Sequence, residues 1–148
     1  MKPISNREDT IMTDTTVDHG QANAAAWYET IKELVGRLNE AAGDDQAEQD
    51  REATFTEIQE GPLSVMVRDG WRQPGGASEG AEEFEILLST GGPALRIWGW
   101  LDGSNQPKEC ELQHQDWGTP WTKWVPAPYD NTFHDTLLIY ASQFYFGD

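Results

Sequence analysis

The chain has one cysteine, Cys110, and only 10 lysines and arginines among 148 residues. It also has no long apolar run. A single cysteine excludes an internal disulfide framework and fits a reducing compartment. The shortage of cations excludes ordinary binding to DNA, RNA or an anionic membrane, all of which require Lys/Arg excess. No stretch reaches the roughly 18 apolar residues of a membrane span, and none follows Met1 as a signal peptide would. A cytoplasmic protein is expected.

What is abundant is negative charge. The formal net charge is -16, with 26 acids and a pI near 4.3. The acids are unevenly placed. Residues 44–60 carry seven of them against Arg51 alone, and residues 79–85 carry four and no base. Aromatic content is high as well, with seven tryptophans. That density argues against wholesale disorder, and 148 residues are enough to bury roughly two-thirds of the unfolded surface in one domain.

Residues 1–21 are polar and aperiodic and read as a flexible tail, leaving 22–148 as a single domain. Residues 23–42 read as an amphipathic helix, with Trp27, Ile31, Leu34, Val35 and Leu38 on one face. Asn23 is the expected N-cap and Gly43 the C-terminal glycine. Residues 44–60 suggest a second helix with a thin apolar face of Ala47, Phe55 and Ile58. Its β-branched Thr54, Thr56 and Ile58 leave open a strand in the second half.

The period then changes to two. Leu63, Val65 and Val67 alternate with Ser64, Met66 and Arg68, as in a half-buried strand. Phe84–Thr90, Ala94–Leu101 and Lys108–Gln115 follow as strands separated by short turns, which implies an antiparallel meander. Residues 117–130 read as loop, and Asn131 or Thr132 opens a last helix. The expected fold is α+β: two N-terminal helices, a four-stranded antiparallel meander and one C-terminal helix, with all helices on one sheet face.

No motif for catalysis or cofactor binding stands out, so no cofactor and no enzyme activity are expected. Cys110, His114 and Asp116 fall at i, i+4 and i+6 on one side of a strand. They allow a small metal-dependent or hydrolytic enzyme, although a zinc site needs three or four convergent ligands. The plainer alternative is a core thiol beside an edge imidazole. The glycine-rich stretch at 70–80 has no Lys, and its Glu79 would repel phosphate.

The tryptophans are more specific. Trp98 and Trp100 share one strand face, and Trp117, Trp121 and Trp124 crowd the following loop. They either seal a second small core or, with Trp121, offer an aromatic interface, since tryptophan is enriched in binding hot spots. In the second case the chain would be a structural accessory protein that assembles with itself.

The tract Gln115-Asp116-Trp117-Gly118-Thr119-Pro120-Trp121-Thr122, the ending Phe144-Tyr145-Phe146-Gly147-Asp148 and Gly91-Gly92-Pro93 resemble a loose group of short acidic proteins encoded on bacterial phages, prophages and plasmids. That resemblance spans roughly the last 90 residues and brings no catalytic residue with it. It implies a mobile-element setting in which small acidic proteins disable host defence.

The leading expectation is therefore a non-enzymatic inhibitor of the anti-CRISPR or anti-restriction type. Its acids would imitate nucleic acid against a basic protein surface, without binding nucleic acid or membrane itself. The acids singled out are Asp44, Asp45, Glu48, Asp50, Glu52, Glu79, Glu82, Glu83 and Glu85. Trp98, Trp100 and Trp121 would supply scaffold or contact.

Overall fold

Apolar residues at helical spacing in the first segment and at alternating spacing after residue 63 produce helices followed by a meander. The computed structural model describes residues 3–40 and 45–147, with side chains described from His19 onward. Helix α1 spans Pro3–Glu40 and α2 spans Asp45–Glu60. Strands β1 (Ser64–Asp69), β2 (Ala81–Ser89), β3 (Ala94–Leu101), β4 (Pro107–Gln115) and β5 (Thr122–Trp124) follow, and α3 (Phe133–Ala141) comes last. The architecture is α+β, with a five-stranded antiparallel sheet in the order β1-β2-β3-β4-β5.

The expected four strands become five because β5 has only three residues, too few to declare a period between Pro120 and Pro126. It pairs Thr122 with His114, Lys123 with Gln113 and Trp124 with Leu112. The helical backbone of α1 also runs back through most of the stretch read as a tail. Asn23 accordingly lies inside the helix, where its Nδ2 donates to Ser89 Oγ at 2.9 Å instead of capping. Gly43 lies outside the described residues.

Ala24, Tyr28, Ile31, Leu34, Val35 and Leu38 of α1 are buried, so Tyr28 takes the central place expected for Trp27, which sits at the core margin. In α2 the buried residues are Thr54 and Ile58, whereas Phe55, expected inside, is exposed. A strand in the second half of α2 is ruled out. Thr54 stays in helix by donating its hydroxyl to Asp50 O at 2.9 Å, the i−4 bond that lets a buried threonine satisfy itself. Arg51 Nη1 donates to Leu38 O at 2.8 Å, tying α2 to the last turn of α1.

The helices α1 and α3 pack over β3 and β4. Their side of the sheet carries the row Ile86, Ile97 and Leu112, flanked by Phe84, Leu88, Leu95 and Leu101. Phe146, beyond α3, covers Phe84 at 4.8 Å between ring centroids. Val65 and Val67 point to the same side but remain exposed, which corrects the half-buried reading of β1. The helix layer sits toward the other end of the sheet and leaves β1 overhanging. The opposite sheet face has no second layer of secondary structure.

Candidate interaction surfaces

Strand alternation sends Glu83, Glu85, Arg96, Trp98 and Trp100 to the open face, away from the helices. Cross-strand pairing aligns them in rows, Met66–Glu85–Trp98–Glu111 and Arg68–Glu83–Trp100–Glu109. Two arginines organise these rows. Arg68 forks onto Glu83 at 2.6 and 3.2 Å, and Trp98 Nε1 donates to the same carboxylate at 3.0 Å. The Arg68 guanidinium, helped by Trp98, holds the Glu83 carboxyl below its usual range. Arg96 donates to Glu85 at 2.8 Å and to Gln113 at 2.7 Å, and its guanidinium lies 4.2 Å from the Trp121 ring centroid.

Trp98 and Trp100 meet edge to face at 5.2 Å, a favoured geometry for paired indoles. Both are half-buried, as is Trp121, while Trp117 is exposed. The loop after β4 therefore lays one tryptophan over Arg96 and does not seal this face. A shallow groove of about 400 Å³ remains among Met66, Arg68, Glu83, Glu85, Arg96 and Trp98.

The acids singled out from sequence divide between two sides of the molecule. Glu83 and Glu85 lie on the open face, each neutralised by an arginine. Asp45, Glu48, Asp50 and Glu52 are exposed on α2, in the helix layer, and have no ion pair among the described residues. Asp50 accepts from Gln46 at 3.0 Å. Glu79 and Glu82 are exposed beside the 70–80 loop, again without an ion pair among the described residues, with the Glu82 carboxylate against Gly70. Asp44 lies outside the described residues. A single negative face built from both acidic segments is thus not formed.

Cys110 and His114 do share the helix side of β4, as their spacing requires, but they separate in function. Cys110 faces Gly99, and burial pushes its thiol up to about 12, so it stays protonated at neutral pH. The His114 imidazole packs against Gly20 of α1, where an added Cβ would meet Nδ1 at 2.7 Å. Asp116 lies just beyond the strand, and its carbonyl accepts from Thr119 N at 3.1 Å. Among the described residues no group of three His, Cys, Asp or Glu side chains is placed to hold a metal ion, and no helix is long and apolar enough to cross a membrane.

Two arrangements went unread in the sequence. Arg96 shares parity with Trp98 and Trp100, a usable signal, but its partners Glu85 and Gln113 come from neighbouring strands. Tyr28 donates to Asp130 at 2.5 Å across 102 residues, and no local pattern announces that pair. The hydrogen bond from Tyr28, with a second from the Thr132 backbone, brings the Asp130 carboxyl down to about 2. No family model, no curated protein and no solved structure matches the chain.

Proposed function

We propose that this chain is a non-enzymatic binding protein whose α2 ridge occupies a basic, nucleic-acid-binding surface on a partner protein. The observation that carries this reading is the state of the α2 carboxylates. Asp45, Glu48, Asp50 and Glu52 are exposed and have no ion pair among the described residues, whereas Glu83 and Glu85 are each matched to an arginine. Adjacent like charges at i,i+3 and i,i+4 oppose the helix by about 0.2–0.5 kcal/mol per pair. A ridge that repels itself is relieved when a cationic surface meets it.

The density is informative. Six carboxylates occur in the 16 residues of α2, a length of about 24 Å, and one of them, Glu57, is paired with Arg37 at 3.1 Å. The other five amount to one per about 5 Å of axis, nearer to the roughly 3.4 Å per phosphate along one nucleic-acid strand than to a duplex, of whose charge density they reach about a third. A groove that accepts a single strand fits this ridge better than a duplex clamp. The resemblance to mobile-element proteins points to a host defence complex of the CRISPR or restriction kind as the partner class. The test is partner capture by the wild-type chain and by a variant carrying Asp45→Lys, Glu48→Lys and Glu52→Lys. Loss of a nucleic-acid-binding partner from the variant supports the reading, and equal capture defeats it.

The half-buried tryptophans of the open face favour a second reading, an accessory protein that self-assembles through Trp98 and Trp100. It predicts an oligomer that ignores salt and dissociates on Trp98→Ala.

A further inference from the structure

β1 is an edge strand whose outer side has no neighbour in the sheet. Leu63, Val65, Met66 and Val67 are all exposed along it, Leu63 by 58% and Met66 by 60%, and Trp71 just beyond its end is fully exposed. Edge strands are usually blunted by central charge, proline or a bulge, because unpaired backbone groups recruit other strands. Here the Val65-Met66-Val67 centre has none of these. The only irregularity comes at Arg68/Asp69, at the end of the strand.

Carboxylates bracket this apolar edge. Glu60 closes α2 just before β1, and Glu79 and Glu82 lie at the other end, where Asp69, Gly70 and Trp71 join them around one small hollow. Among the described residues none of these three glutamates is ion-paired, while Arg68 and Arg72 are already engaged with Glu83 and Asp69. We propose that the outer edge of β1 docks an extended segment of a partner protein, apolar at its centre and basic at its ends, which adds to the sheet as a further strand.

Such an addition would let the partner's backbone bond to the unpaired edge while alternate side chains lie beside Val65 and Val67 on one face and Met66 on the other. A second copy of this chain fits less well. Antiparallel pairing of two β1 edges about a two-fold axis would set Glu60 of each copy beside the Glu79 and Glu82 end of the other, and facing like charges destabilise strand pairs. Basic ends on the incoming strand convert the same carboxylates into attractions. This edge shares only Glu60 with the α2 ridge and stands whether or not Asp45, Glu48 and Glu52 bind a partner.

The experiment is a titration of the full chain, followed by backbone amide resonances and hydrogen exchange. The probe is a synthetic peptide with an alternating Val-Thr centre and paired lysines at both ends. Shifts and exchange protection should concentrate in Ser64–Asp69, and exchanging the lysines for glutamates should weaken binding about tenfold or more. A proline at the peptide centre should abolish it, because the ladder loses a donor. Met66→Lys, at an exposed position that leaves the core intact, should weaken binding while the amide spectrum of β3 and β4 is retained. Shifts confined to α2, equal binding of the acidic-ended peptide, or protection in the protein alone of those β1 amides that point away from β2 would each overturn the proposal. The last result would mean that a second copy, or the chain itself, already covers the edge.

Discussion

Gly99 sets how closely β3 and β4 approach. An added Cβ there would run into the backbone carbonyl of Glu109 and lie 2.7 Å from Cys110 Cβ. Replacing a strand glycine by alanine ordinarily gains about 0.5–1 kcal/mol of backbone entropy, but overpacking against backbone costs about 1–3 kcal/mol. Clash wins, and Gly99→Ala should lower unfolding free energy by about 1–2 kcal/mol in urea titrations. The alternation in Ala94–Leu101 already told which side Gly99 faces. What it faces depends on the β3–β4 register, which alternation does not specify.

Tyr28 and Asp130 make a second case at this scale. The depressed Asp130 carboxyl contributes stability that is present above its ordinary titration range near pH 4 and is lost as pH falls toward 2. In Tyr28→Phe the carboxyl should titrate measurably higher in an NMR pH series, because its largest stabilising hydrogen bond is gone. The wild type should also lose its stability margin over that variant as the pH drops below 4, once the carboxylate of both is being protonated. An unchanged Asp130 titration would show that the Thr132 contacts alone hold it down.

Among the elements, those with sustained periodicity were legible. The stripe from Ile31 to Leu38 and the alternation in β3 specify their buried faces without help. α2 was harder because its apolar residues are sparse, and Phe55 outranks Thr54 on hydrophobicity alone. Packing inverted that order, since Thr54 could satisfy its hydroxyl on Asp50 and fit beneath α1. The corrected face has a measurable consequence. Ile58→Ala, at a fully buried position, should cost about 2–4 kcal/mol, whereas Phe55→Ala should cost under about 1 kcal/mol. Equal losses would restore the sequence-based face. β1 was misjudged for a related reason. Its alternation predicts which side each residue faces, but not whether a helix extends far enough to cover it.

For the molecule as a whole, charge was visible in the sequence and its partition was not. Segments that read as one acidic reservoir divide into Glu57, Glu83 and Glu85, each matched by an arginine, and carboxylates on α2 and beside the 70–80 loop that have no ion pair among the described residues. Cross-strand register sets Arg68 beside Glu83 and Arg96 beside Glu85, and the packing of α1 on α2 sets Arg37 beside Glu57. On the proposed function, salt-sensitive binding belongs to α2 and structural pairing to the sheet.

The most direct measurement is the affinity of the captured partner across a salt series, with single-stranded nucleic acid as competitor, for the wild type and for the variant reversed at Asp45, Glu48 and Glu52. The account predicts wild-type binding that weakens steeply with salt and is displaced by nucleic acid, and a reversed variant that binds at least about tenfold more weakly at low salt. Salt-independent binding, retained by the reversed variant and indifferent to nucleic acid, would contradict it.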